Sequence, residues 1–162
     1  RRHTRFRNVT GVQTCALPIL DETGGNFDEA RQLLRERGIA SAAKRSERET
    51  NQGVVESYIH GQGRIGALVE LNCETDFVAR TEAFRTLARD VAMQVAAMNP
   101  AGLRPEDVPT DAIGGQAANA LLTQPFIKDG SKTIEQLVQD VIAQTGENVR
   151  VARFARFELG QG

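Results

Sequence analysis

The stretch 65–98, IGALVELNCETDFVARTEAFRTLARDVAMQVAAM, changes its hydrophobic period part-way along. Over the first nine residues apolar side chains alternate. Ile65, Ala67, Val69, Leu71 and Cys73 fall on one face, Glu70 and Asn72 on the other, which is the pattern of a strand with one buried side. Beyond Thr81 the spacing becomes i, i+3, i+4, i+7. Phe84, Leu87, Ala88, Val91, Ala92, Val95 and Met98 make the apolar stripe of an amphipathic helix. Thr81 stands where a cap belongs and Asn99-Pro100 where a helix stops, so the spacing predicts a helix over 82–98.

Immediately upstream, residues 54–60 (VVESYIH) read as a second strand, joined to the first through Gly61-Gln62-Gly63-Arg64 in a β-hairpin. The run from Gly61 to Gly66 also matches G-x-G-x-x-G, but a dinucleotide-binding turn needs a helix after it, and here a strand follows. No H-R-D or D-F-G stands downstream, which removes a kinase glycine loop. The glycines are read as those of a tight hairpin.

Downstream, Pro100, Pro105, Pro109 and Gly114-Gly115 break the pattern and leave one short helix near 116–122. Thr133-x-x-Gln136 is a capping box that opens a helix over 133–145, with Ile134, Leu137, Val138, Val141 and Ile142 as its stripe and Gly146 as its stop. A last strand covers 149–159 (VRVARFARFEL), and its alternation slips around Arg153-Phe154, which predicts a bulge. The expected class is α+β: an antiparallel sheet of 54–60, 65–73 and 149–159, covered by helices 82–98 and 133–145.

At the other end, Asn26-x-x-Glu29 reads as a capping pair opening a helix of about three turns that stops at Gly38, a length that does not fold alone. Ala30, Leu33 and Leu34 line one face of it, and 40–52 reads as a further short helix running into a linker. Residues 1–19 (RRHTRFRNVTGVQTCALPI) contain four arginines and no Asp or Glu. Pro18 interrupts an apolar run too short for a secretory signal, and a transit peptide lacks its apolar helical face. VTGVQTCALPI resembles translated read-through of a sequencing-library adapter joined to a truncated gene. The organisation expected is a foreign-looking segment at 1–19, a partial helical module and linker at 20–52, and a core domain at 53–162.

The 162 residues are 40% hydrophobic and 25% charged, enough to bury a core, with a formal net charge of −1. From Leu20 onward 16 basic residues face 21 acidic ones, so the near-neutral total hides a modestly acidic domain. That balance argues against nucleic acid or an anionic membrane as partner. No run approaches the ~18 apolar residues of a membrane span. Cys15 and Cys73 make neither a disulfide framework nor a zinc site.

Few residues offer chemistry. Glu70, Glu74 and Asp76 cluster, but Asp76 falls beyond the strand and only His60, across the hairpin, is near, so neither acid–base catalysis nor a metal is expected. Cys73 belongs to the apolar set and reads as a buried, inert thiol. Arg150, Arg153 and Arg156 interleave with Phe154 and Phe157, which leaves open an RNA-binding or structural module on the last strand; the plainer reading makes the phenylalanines core and the arginines a solvated face. Thr75-Asp76-Phe77-Val78, between strand and capped helix, holds an acid, a large aromatic and a β-branched residue in a surface connection. By periodicity Phe77, seven residues before Phe84, extends the core stripe. Taken alone, the alternative is an exposed aromatic plug of the kind found at binding hot spots.

Glu70-Leu71-Asn72-Cys73-Glu74-Thr75-Asp76-Phe77-Val78-Ala79-Arg80 resembles the signature of elongation factor Ts, the guanine-nucleotide exchange partner of the translation GTPase elongation factor Tu. Residues 20–53 are similar to the tail of that family's ubiquitin-associated-like N-terminal module and its linker. Residues 123–160, with Gln124-Pro125-Phe126-Ile127-Lys128-Asp129 and Gly146-Glu147-Asn148, resemble the C-terminal part of its short bacterial forms. The resemblance implies a cytoplasmic exchange factor with no bond-making chemistry and no cofactor. Its partner is elongation factor Tu, and homodimers are expected, since short members pair two cores. It assigns Phe77 as a wedge near the GTPase's Mg²⁺ site and Asp76 as its polar anchor, with Thr75 and Val78 holding the turn. Two departures accompany it. The family's first signature belongs just before Leu20, so the chain is expected to be N-terminally truncated and to bind more weakly; the helical stretch usual around 101–122 is expected to be shortened.

Overall fold

The computed structural model describes residues 13–161. The head of the anomalous segment, with its four arginines, lies outside them. The chain divides into two units, one ending at Ala40 and one beginning at Ser41.

In the first unit, α1 (Gln13–Glu22) is followed by α2 (Phe27–Arg45), whose end passes into the second unit. Between them the Thr23 hydroxyl donates to the Ile19 carbonyl at 3.0 Å. Asn26 Oδ1 accepts from the Asp28 and Glu29 amides at 3.1 and 3.3 Å, the cap that its sequence position calls for. Arg37 and Glu22 pair at 2.5 Å. Gly38 does not end the helix, and 40–45 is not a separate one. The alanine-rich run that follows has high helix propensity, which outweighs the cost of about 1 kcal/mol for one interior glycine. Leu34 stays exposed while Ala30 is buried.

The second unit runs β1 (Gln52–His60), β2 (Ile65–Cys73), α3 (Asp76–Ala79), α4 (Glu82–Met98), α5 (Gln116–Asn119), β3 (Pro125–Phe126), β4 (Asp129–Thr133), α6 (Ile134–Thr145) and β5 (Val149–Glu158). The antiparallel sheet has order β1-β2-β5, so the most apolar strand is central and finds a partner on each side. Ala67, Val69, Leu71 and Cys73 are buried, as their alternation predicts. Val69 lies opposite Glu56 on one side and Phe154 on the other. At the hairpin the Arg64 amide donates to His60 and Gly61 carbonyls, and Gly61, Gln62 and Gly63 all have positive φ, which explains the two glycines of the turn.

The slip in the last strand is a bulge. Glu70 pairs with Arg153 but Leu71 with Val151, leaving Ala152 as the extra residue. It reverses the parity of everything beyond it. Val149 and Val151 point to the core before it; after it Phe154, Arg156 and Glu158 take the inward side and Phe157 faces out. The plain assignment of both phenylalanines to the core therefore holds for Phe154 and fails for Phe157.

Helix α4 lies on the inner face of the sheet through Phe84, Leu87, Ala88, Val91, Ala92 and Val95, and α6 packs against α4 and β5. Thr81 Oγ1 accepts from the Phe84 amide at 3.4 Å. Asn99, at φ 47°, closes α4 with its amide on Val95 O, and Met98, counted in the stripe, is exposed. In α6 both halves of the Thr133–Gln136 box are made, at 3.0 and 3.3 Å, and Gly146 at φ 76° ends it.

The weakly patterned segment between α4 and α6 buries scattered apolar residues, Val108, Ala120, Leu121 and Phe126, and is tied to α4 by a buried polar side chain. Gln94 is fully buried; its amide nitrogen donates to Gln124 Oε1 and Pro125 O, and its oxygen accepts from the Ile127 amide at 3.0 Å. The short helix near 116–122 becomes α5 and a 3-10 turn, Leu121–Thr123. The β3–β4 hairpin was not anticipated, because Asp129-Gly130-Ser131-Lys132-Thr133 has no apolar alternation to betray a strand.

Gly53 in β1 faces the Leu71 backbone so closely that a Cβ there runs into the Leu71 carbonyl oxygen. Gly53→Ala is expected to lower stability by about 2–4 kcal/mol, read as a lower urea midpoint at unchanged slope.

Candidate functional site

Thr75-Asp76-Phe77-Val78 occupies the connection between β2 and α4, as the sequence places it. It forms its own helical turn, α3. Thr75 is extended (φ −124°, ψ 154°) and its hydroxyl accepts from the Val78 amide at 3.4 Å, the cap of that turn. Val78 and Ala79 point inward and are buried. Phe77 is 82% exposed, whereas Phe84 is 0% exposed. The core reading of Phe77 is thereby overturned. The seven-residue phase to Phe84 requires one continuous helix, and Arg80-Thr81 interrupts it: the Thr81 hydroxyl donates back to Val78 O at 2.8 Å while Thr81 caps the next helix.

Asp76 lies at the surface with its carboxylate on Arg80 at 2.9 Å. Such exposed pairs contribute at most about 1 kcal/mol, so Asp76 is available to a competing partner at small cost.

The rigid base of this turn comes from across the sheet. Glu147, in the connection between α6 and β5, accepts from the Thr75 amide at 3.0 Å and from the Thr75 hydroxyl at 2.6 Å. In exchange Glu74 accepts from the Asn148 amide at 2.6 Å and pairs with Arg48 at 3.4 Å. The Asn148 side chain donates to the carbonyls of Arg48 at 2.9 Å and Ser46 at 3.3 Å. Cys73 closes the floor: its thiol donates to Thr75 O at 3.1 Å, and burial pushes its pKa up to about 11, so it stays a neutral thiol, as its place in the apolar set implies.

Glu74 is committed to Arg48 and Asn148, and Glu70 to Arg153 at 2.6 Å and Asn72 at 3.2 Å, contacts that hold the Glu70 carboxyl below the usual range. Among the described residues no group of His, Cys, Asp and Glu is arranged to hold a metal ion. No helix among them is long and apolar enough to cross a membrane. On β5, Arg156 is tucked in, donating to Ala96 O at 3.1 Å and pairing with Glu158 at 2.7 Å. In the sequence Glu147 and Asn148 stand out only within the family-like string Gly146-Glu147-Asn148, which assigns them no contact, because the partners they meet on β2 and the chain before β1 lie 72 to 102 residues away.

A family profile described as Elongation factor TS matches residues 28–118. Elongation factor Ts of Desulforamulus reducens is 44% identical over 191 residues, covering 99% of this chain and 88% of that protein. The chain belongs to the elongation factor Ts family. Its relative in Rubrobacter xylanophilus is 46% identical over 170 residues, covering 86% of this chain and 87% of that one; in Carboxydothermus hydrogenoformans the values are 42%, 99% and 88%. The eleven-residue stretch Glu70–Arg80 forms the end of the central strand and the exposed turn, and Glu147, which braces that turn, lies outside it.

Because Phe77 buries so little, Phe77→Ala is expected to change the unfolding free energy of this elongation factor Ts family member by no more than ~0.5 kcal/mol. Phe84→Ala should cost about 3–5 kcal/mol. Parallel urea titrations compare the two.

Proposed function

We propose that this chain is a guanine-nucleotide exchange factor that binds elongation factor Tu·GDP and promotes GDP release, acting in the cytoplasm with no bond-making chemistry and no cofactor of its own. The observation that carries this reading is Phe77: a large apolar ring, 82% exposed, on a turn anchored below by Val78 and Ala79. Burying such a ring in a partner is worth about 1.5–3 kcal/mol, and a rigid mount means little of that is spent on ordering it.

In this reading Thr75, Asp76, Phe77 and Val78 form the docking motif. Phe77 wedges into the nucleotide domain near the GTPase's Mg²⁺ site, Asp76 exchanges Arg80 for a polar partner there, and Thr75 and Val78 hold the turn. Shifting the phosphate loop or the ion weakens the hold on GDP. Factor and GDP then weaken each other reciprocally, so exchange is accelerated without preference for the incoming nucleotide. Residues 20–52 are read as a partial ubiquitin-associated-like helical module and its linker.

A homodimer belongs to the same reading. The sheet face away from α4 exposes Val55, Ile59, Leu68 and Phe157, with Ile59, Gly66 and Phe157 in one cross-strand row. A second copy of this chain would cover it as a self-complementary patch. Sedimentation velocity is expected to give a dimer at micromolar concentration and a monomer for Phe157→Glu. The RNA alternative has less behind it, since Arg156 is tucked in against Ala96 O and Glu158 and Phe154 turns inward, which breaks up the basic-aromatic face of β5.

The direct test is release of a fluorescent GDP analogue from a bacterial elongation factor Tu in excess unlabelled GDP. Micromolar protein should accelerate release, and Phe77→Ala should cut the stimulated rate by about tenfold, a barrier change of ~1.4 kcal/mol. An unaccelerated rate from a folded sample overturns the reading. Salt-sensitive RNA binding lost on Arg153→Ala and Arg156→Ala would favour the alternative.

A further inference from the structure

We infer that Glu147 is a positioning residue for exchange: through Thr75 it fixes the attitude of the turn that presents Phe77. The inference rests on the exchange reading of the Phe77 turn.

Four residues, Asp76–Ala79, make a single helical turn, and one turn has no stability of its own. The Phe77 ring is almost free of its own protein, so its direction is inherited from the backbone of α3. Val78 and Ala79 hold the inner side of that backbone by burial, and the Cys73 thiol and Thr81 hydroxyl hold its Thr75 and Val78 carbonyls. The restraint that carries charge is at the leading end, where the Glu147 carboxylate takes both the amide and the hydroxyl of Thr75, at 3.0 and 2.6 Å. The same hydroxyl oxygen accepts from the Val78 amide. Glu147 thus aligns the hydroxyl that caps α3, and the restraint passes from carboxylate to Thr75 to the turn. Hydrogen bonds to an ionised carboxylate are about twice as strong as neutral ones, and two converging on one residue define an angle that one does not.

Glu147 itself is set by what surrounds it. Its amide is within 3.4 Å of the Thr145 hydroxyl, Gly146 ends α6 just before it, and Asn148 beside it is buried and bonded to Glu74, Ser46 and Arg48. The carboxylate is therefore delivered from a locked corner. Its role is distinct from that of Phe77: it need touch no partner, and its loss should lower the rate of displacement more than the strength of docking.

The test uses the full chain in the fluorescent GDP assay, with the factor titrated to saturation so that maximal rate and half-saturating concentration separate. Glu147→Ala is expected to lower the maximal rate by about fivefold or more while half-saturation moves by no more than about twofold. Thr75→Val, which removes the hydroxyl, should behave alike, and Thr75→Ser, which supplies it again, should recover most of the rate that Thr75→Val loses. The Thr75 pair decides the matter if Glu147→Ala does not fold. The chain contains no tryptophan, so Phe77→Trp installs a single reporter at the tip of the turn; adding Glu147→Ala should lower its fluorescence anisotropy in the isolated protein. A full maximal rate in Glu147→Ala and Thr75→Val, or losses confined to half-saturation, overturns the inference while the exchange reading stands. An unsubstituted protein without exchange activity overturns both.

Discussion

Pairing of β2 on both of its edges is the constraint on which the rest of the structure depends. Val69, Leu71 and Cys73 lose all contact with water, and only a strand with a neighbour on each side satisfies its backbone while doing so. Burial of that one face fixes the register of β1 and β5 against it, because a slip by one residue would turn the apolar set outward. It also gives α4 its seat. The exposed turn at 75–78 follows directly from the end of this strand, so its location is as well defined as the core itself.

Where an element's own side chains hold it, the sequence is readable. The alternation in β2, the stripe of α4 and the capping box of α6 each state locally what the fold does globally, and their boundaries fall within a residue or two of those expected. Failures concentrate where distant groups decide. Phe77 has the spacing of a core residue, and only the break made by Thr81 capping a new helix sends it outward. The β3–β4 hairpin is seated by Phe126 in the core and by Gln94, a residue on another element. Gly38 carries the usual stop signal, yet the alanines beyond it keep the helix going. The turn's composition fits a hot spot, but the string Gly146-Glu147-Asn148 does not say that its Glu147 carboxylate reaches Thr75, 72 residues back.

The bulge at Ala152 shows how one residue divides labour within a strand. Before it β5 contributes valines to the core; after it Arg156 goes inward, and a phenylalanine is left on the open face. An apolar outer row and a half-buried, paired arginine are both consequences of that single change of parity. A basic-aromatic strand that resembles an RNA platform on paper is thereby turned into half core and half surface.

The order of strands in the sheet has a consequence for synthesis. β1 and β2 form a local hairpin, but Arg153, which bonds Glu70 across the other edge, lies 83 residues further along the chain. At roughly 5–20 residues per second, on the order of 4–16 s separates their emergence from the ribosome. Through that interval the most apolar strand of the molecule has one open edge, the arrangement most prone to pairing with another chain. Glu147 emerges only near the end of the same interval, 72 residues after Thr75. The two bonds that tie the exposed turn to the far end of the chain therefore form about when the open edge of β2 is covered.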